Sequence, residues 1–238
     1  MTGPQKIENI RSQITGTTFL EDRRVPLWKR ALDITLVLFA IPALLPMVVI
    51  VSLLIKVSSR GPVFFKQERV GFLGKRFMIY KFRTMVHGID TSAHEKHVNG
   101  LITRNAPMTK LDVCGDKRLI PVGRLLRAGG LDELPQLFNV LCGEMSIVGP
   151  RPCLPSEYPL YLPWQRERFL GLPGLTGLWQ VSGKNQTTFN EMIEFDIQYV
   201  RTQSFLLDLI IMLKTFPLIL SEIKEVVAPA STTPSRSA

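Results

Sequence analysis

ALDITLVLFAIPALLPMVVIVSLLI, residues 31–55, runs for 25 residues with Asp33 as its only charge. About 20 apolar residues suffice to cross a bilayer as a helix, so this segment is expected to enter a membrane. A signal peptide is not expected, because some 30 mostly polar residues precede the segment and no small-residue cleavage site follows before Lys56. Both flanks are basic: Arg23, Arg24, Lys29 and Arg30 before it, Lys56, Arg60, Lys66, Arg69, Lys75 and Arg76 after it. Positive charge normally marks the cytoplasmic end of a span, and here both ends carry it. Pro42 and Pro46 fall near the middle, where a proline removes a helical hydrogen bond and clashes with the preceding turn. Together these features favour a helix–break–helix over residues 28–60 that dips into one leaflet and returns. A tilted span with proline kinks is the alternative, and a buried core helix is the third reading.

Composition sets the context. A chain of 238 residues is long enough for one good-sized domain and an appendage, and 45% apolar with 21% charged residues is not the composition of a disordered chain. Lys and Arg number 29 against 20 Asp and Glu, a formal charge of +9, which predicts an anionic partner: nucleic acid, acidic lipid or a phosphorylated substrate. Cys114, Cys142 and Cys153 are odd in number and lack ligand spacing, so neither a disulfide framework nor a zinc site is expected, and the reducing cytoplasmic side is the simplest location.

The remainder reads as a cytoplasmic domain. Residues 61–71, GPVFFKQERVG, and 75–85, KRFMIYKFRTM, are short aromatic and β-branched stretches bounded by glycine and predict a hairpin or two extended segments. Residues 86–119 are polar and irregular, a surface loop with some helix. Residues 173–186, PGLTGLWQVSGKNQ, have the glycine content of loops shaped around a ligand. Residues 189–201 and 204–224 read as helices, the second apolar enough to lie in a membrane interface, and the Ser/Thr/Pro-rich tail from Ala228 reads as disordered. No internal repeat is apparent. HEKH, residues 94–97, lacks the i, i+4 histidine pair of metalloproteases; GLWQVSGKN fails the P-loop pattern in spacing and in the residue after Lys184. The Asn185 sequon has meaning only beyond a secretory membrane.

GGLDELPQLFNVLCGEMSIVGPRP, residues 129–152, holds the chemistry. A structural reading makes Asp132 a helix N-cap, places Glu133 and Pro135 in the first turn, and gives Leu137, Phe138, Val140 and Leu141 an apolar face. A chemical reading notes the surrounding cations. Arg127 lies five residues before Asp132, Arg151 sits between two prolines, and Lys81 and Arg83 alternate onto one face of an extended segment. Arginine forks suit phosphate oxygens. A carboxylate attacks phosphorus when cations or Mg²⁺ neutralise the charge on the phosphoryl oxygens, and an adjacent acid is placed to hold that metal.

These motifs, KRALDITLVLF…LLPMVV, GPVFFKQERVG, YKFRTM, VGRLLR…LDELPQLFNVL, MSIVGPRP and PGLTGLWQVSG, occur in one register over residues 28–220. The chain resembles the bacterial sugar transferase family, the monotopic polyprenyl-phosphate phosphoglycosyl transferases. The resemblance implies transfer of a sugar-1-phosphate from a nucleoside diphosphate sugar, usually a UDP-sugar, to undecaprenyl phosphate with release of UMP, the first step of exopolysaccharide, capsule, O-antigen or glycoconjugate synthesis. It implies Asp132 as the nucleophile taking a covalent sugar-phosphate, and Glu133 with Asp132 as Mg²⁺ ligands. It further implies Arg127 and Arg151 on phosphate groups with Lys81 and Arg83 nearby, and Pro46 as the helix-breaking proline. Family members commonly carry Thr or Ser before Leu-Asp-Glu, where this chain has Ala128, Gly129 and Gly130. Hydroxyl contacts are lost there, with glycine amides as the substitute.

The expected fold class is therefore α+β, mostly helical, with interfacial amphipathic helices. Its parts are an N-terminal cytoplasmic segment (1–27), the re-entrant membrane segment (28–60), a small cytoplasmic catalytic domain (61–224) and a tail (225–238). The expected location is the bacterial inner membrane, with the catalytic domain on its cytoplasmic side; oligomeric state, a homodimer included, is left open. A membrane-anchored basic scaffold accounts for the charge but not for the dyad. A nucleic-acid binder is argued against by the membrane segment, and no nucleic-acid partner is expected.

Overall fold

The computed structural model describes residues 24–86, 88, 92–108 and 118–227. Its first element, α1 (Leu27–Ser58), is 32 residues long, about 48 Å at the usual helical rise. It runs through Pro42 and Pro46 without interruption, so the break expected within residues 28–60 is absent. The reason is local: Pro42 and Pro46 leave only the carbonyls of Leu38 and Pro42 without their helical donors, and the turns on either side keep theirs.

What α1 touches is more informative than its continuity. Lys29, Asp33 and Val37 near its start and Val51 and Ile55 near its end are buried, while Ala40, Leu44 and Val48 on the same stripe are only half-buried. The other faces are bare, with Phe39 86% and Leu45 63% exposed. Both ends pack on one body. Val37 meets Ile79, Val140 and Met145; Val51 and Ile55 meet Phe82, Ile120 and Leu126.

The expected hairpin is present, with β1 (Phe64–Val70) and β2 (Arg76–Phe82) paired antiparallel from Phe64↔Phe82 to Val70↔Arg76. Among the described residues of 86–119 lies a helix, α2 (Ser92–Arg104). Then follow α3 (Gly123–Ala128), a 3₁₀ segment (Leu131–Gln136), α4 (Leu137–Cys142) and β3 (Ser146–Val148). After a crossover carrying the 3₁₀ segments Tyr158–Leu160 and Pro163–Leu170, β4 (Gly174–Thr176) pairs parallel with β3. Helices α5 (Leu178–Ser182), α6 (Phe189–Thr202) and α7 (Phe205–Val227) complete the described residues. The class is mostly helical with few strands, as expected.

Residues 173–186 are not a ligand loop throughout, since they supply β4 and α5. Their glycines serve packing: a Cβ at Gly174 would come 2.1 Å from the Gly149 backbone nitrogen. Helix α6 starts with a capping box, Thr188 with Glu191, and buries Phe189, Met192, Ile193 and Ile197 against Phe169 and Trp179. Helix α7 continues three residues past the expected boundary at 224; residues 1–23 and 228–238, with the expected N-terminal segment and tail, lie outside the described residues.

Helix α7 carries Leu206, Leu209, Ile210, Leu213, Phe216 and Leu220 exposed on one stripe. With bare α1, this apolar area exceeds what soluble monomers tolerate. The two helices are fastened by a buried polar knot. Lys29 Nζ lies 2.7 Å from Asp208 Oδ2 and donates to the Tyr199 hydroxyl at 2.7 Å, which donates to Asp208 Oδ1 at 2.6 Å. Asp33 accepts from the Ser146 hydroxyl and the Ile147 amide, and Arg30 donates to the Val140 and Leu141 carbonyls at the end of α4.

Candidate active site

The dyad sits where α3 turns into the 3₁₀ segment. The Gly129 amide closes on the Leu125 carbonyl, and Gly130, at φ 63°, reverses the chain in the left-handed region where glycine is favoured. Asp132 and Glu133 then occupy the first 3₁₀ turn, and Pro135, fifth of the six residues, fixes its own φ there without an amide to donate. The N-cap expected of Asp132 is not made: Gly130 holds that position, and no side chain caps the turn.

This segment packs on β2 and brings Lys81 Nζ to 2.5 Å from Glu133 Oε1. Arg127 donates from Nε to the Thr84 hydroxyl at 2.9 Å and acts electrostatically on Asp132, as Arg151 does on Glu133. Lys81, Arg127 and Arg151 thus converge on the dyad. Arg83 does not. It lies beyond the end of β2 and is buried, donating to the carbonyls of Pro62, Arg60 and Ser59 at 2.6, 2.9 and 3.1 Å. The expected alternation with Lys81 fails because the strand has ended, and Arg83 secures the chain leaving α1.

The two carboxylates differ. Asp132 is 9% exposed, and burial, followed by the charge of Glu133, pushes its carboxyl up to about 6 against the pull of Lys81 and Arg127. For Glu133 burial acts upward too, but the charge and hydrogen bond of Lys81, aided by Arg151, hold it below the usual carboxylate range. The pair therefore divides into one carboxylate short of counter-charge and one that is paired.

Asn139 had no place in the sequence reading. Fully buried in α4, it donates to the Met78 carbonyl and to Glu144 and accepts from the Tyr80 amide, clamping α4 to β2. An asparagine inside the apolar run LFNVL was the available signal.

Among the described residues no three His, Cys, Asp or Glu side chains cluster as a metal-binding group. The dyad's two carboxylates nevertheless suit Mg²⁺, which is commonly held by one or two carboxylates plus substrate phosphates, and the raised Asp132 marks a position where added positive charge is favourable.

The sequence model of the bacterial sugar transferase family matches residues 24–222, spanning α1 to most of α7. The chain belongs to this family. Among its relatives, an exopolysaccharide production protein ExoY of Sinorhizobium fredii is 40% identical over 189 residues, 79% of this chain and 84% of the relative. A UDP-glucose:undecaprenyl-phosphate glucose-1-phosphate transferase of Caulobacter vibrioides is 38% identical over 208 residues, 83% of this chain and 71% of that protein. An undecaprenyl-phosphate galactose phosphotransferase of Salmonella typhimurium is 41% identical over 160 residues, 67% of this chain but 34% of that longer protein. This bacterial sugar transferase thus keeps the family's match across both the apolar helices and the dyad.

Proposed function

We propose that the protein transfers a sugar-1-phosphate from a UDP-sugar to undecaprenyl phosphate, releasing UMP and starting an extracellular polysaccharide. The observation that carries this reading is the pair of buried Asp132 and half-buried Glu133 facing Lys81, Arg127 and Arg151, on a body that leaves α1 and α7 apolar and bare.

Asp132 attacks the phosphorus that bears the sugar; the bond to the bridging oxygen breaks, and UMP leaves with that electron pair. The acyl phosphate so formed is then attacked by a phosphate oxygen of the polyprenyl acceptor, which returns Asp132 as a carboxylate. Arg127 and Arg151 hold the donor's phosphate oxygens, and Lys81 orients Glu133. Mg²⁺, held by Glu133 and Asp132, would supply charge neutralisation at the diphosphate.

The test is UMP release from a panel of UDP-sugars with undecaprenyl phosphate, with and without a chelator. Metal-dependent release for one sugar is the expected result, and no release for any of them overturns the reading. A basic membrane scaffold, the competing account, gives none.

Asp132 must be ionised to attack, and without metal its carboxyl is raised to about 6, so the first half-reaction is expected to slow as the pH falls into the acid range. A pH profile of UMP release with donor alone checks this; a rate unchanged down to pH 4.5 contradicts it.

Since both ends of α1 pack on one body, α1 is proposed to lie within one leaflet of the inner membrane as a helix kinked but not broken at Pro42 and Pro46, with both its ends and that body on the cytoplasmic side. After the native cysteines are replaced, single cysteines at exposed Leu27 and Val57 should both resist an impermeant thiol reagent in intact cells and both react in inverted vesicles. Opposite labelling would establish a span. Pro42→Leu with Pro46→Leu should shift part of the population to that pattern.

A further inference from the structure

We propose that Arg168 and Asp196 are positioning residues for Arg151, an inference that rests on the transferase reading of the site. The loop holding Arg151 is secured at every residue. The Gly149 amide donates to the Thr176 carbonyl at 2.8 Å, the Pro150 carbonyl accepts from the Gly174 amide at 2.9 Å, and Cys153 exchanges backbone bonds with Val70 at 2.9 and 3.3 Å. Arg69 approaches the Pro152 carbonyl at 3.5 Å. The carbonyl of Arg151 itself is taken by Arg168 Nη2 at 2.7 Å, and the same guanidinium reaches the Tyr161 hydroxyl at 2.8 Å and Asp196 Oδ2 at 2.5 Å. The Arg151 backbone amide also faces the Asp196 carboxylate.

Arg168 and Asp196 are each 1% exposed, too deep to touch a substrate. A buried ion pair is a weak stabiliser relative to apolar packing, but it can specify geometry: both terminal nitrogens of Arg168 are engaged, and only its buried Nε has no partner. Here the geometry specified is that of one loop residue. The Arg151 guanidinium has no hydrogen-bond or ion-pair partner among the described residues, while its charge reaches Glu133. The backbone is thus held fixed while the side chain keeps its donors for an anion beside the dyad. Neighbouring Arg69 feels it: burial, then the charge of Arg151, brings its guanidinium down to about 10.

The test is a double-mutant cycle on the full chain in nanodiscs, reading both the Kd of UDP and the kcat and KM of UMP release. Asp196→Asn and Arg168→Lys should each weaken UDP binding roughly tenfold, about what one charge-assisted hydrogen bond provides. In an Arg151→Ala background the same changes should alter the UDP Kd less than about twofold, because the group they position is gone. Asp196→Glu should recover part of the loss. Equal losses in both backgrounds overturn the proposal, since a purely structural role acts whether or not Arg151 is present. Tyr161→Phe, which removes one acceptor from Arg168 and keeps the buried charges paired, runs the same cycle should Asp196→Asn fail to fold. A chain that binds UDP but releases no UMP overturns the transferase reading and leaves the cycle in UDP affinity to decide the positioning role; a chain that does not bind UDP overturns both.

Discussion

Asp132→Asn loses sugar-phosphate transfer by roughly 10⁴-fold or more and yields a more stable protein at neutral pH. The loss follows from chemistry: an amide cannot form the acyl phosphate, while the surrounding cations still bind donor, so kcat falls much more than KM rises. The gain follows from linkage. An aspartate near 4 in the unfolded chain stands at about 6 in the fold, because burial and the charge of Glu133 disfavour its ionised form. Below pH 4 both states hold the proton and the group costs nothing. Between 4 and 6 the unfolded state ionises first, and above 6 the full penalty, on the order of 2 kcal/mol, opposes folding. Asparagine removes it. Denaturation of the two proteins should therefore differ most at pH 7.5, with Asp132→Asn the more stable, and converge near pH 4. Retained turnover would remove Asp132 from the mechanism, and a less stable variant at pH 7.5 would remove the account of its burial.

Lys29→Met should destabilise the fold by about 3–5 kcal/mol, the cost of leaving one partner of a buried ion pair uncompensated. Lys29 and Asp208 are each 1% exposed, with Tyr199 bonded to both, so the aspartate left behind has no water to turn to. Lys29→Met with Asp208→Leu should recover most of the loss, because an apolar pair fills the same space without an orphaned charge. Chemical denaturation in detergent reads both; a single-variant loss under about 1 kcal/mol, or a double variant no better than the single, contradicts the argument. The functional consequence is geometric. The knot fixes α1 against α7, and a loosened knot should lower transfer to a lipid-embedded acceptor more than it lowers UMP release with donor alone.

Much of the molecule was legible because it is local in the sequence. A run of 25 residues with Asp33 as its one charge is a helix that this body leaves largely uncovered, and the aromatic and β-branched stretches flanking Gly71 and Gly74 form a hairpin. The 3.6-residue stripes of residues 189–201 and 204–224 are α6 and α7. The dyad and its basic neighbours are also local, being packed into short motifs whose order alone identifies the family.

Other features were decided only when the chain closed on itself. Lys81 and Arg83, two residues apart, have different fates: β2 ends between them, so one meets Glu133 and the other the carbonyls after α1. Asp132 is legible in the sequence as an acid among cations, but not as a raised one; burial and Glu133 raise it, and burial is a tertiary quantity. Lys29 reads as a membrane-flanking charge, yet its partner lies 179 residues away on α7. Asp196 reads as one more acid on a helix, yet 28 residues separate it from the arginine it pairs with. By itself the sequence determined the long helices, though not the continuity of α1 or the short elements of residues 173–186, together with the hairpin and the chemistry available, since periodicity and residue type act over a few positions. The tertiary structure alone decided which charges are buried, paired or left facing the site, because desolvation and Coulomb energy depend on distances that sequence spacing does not contain.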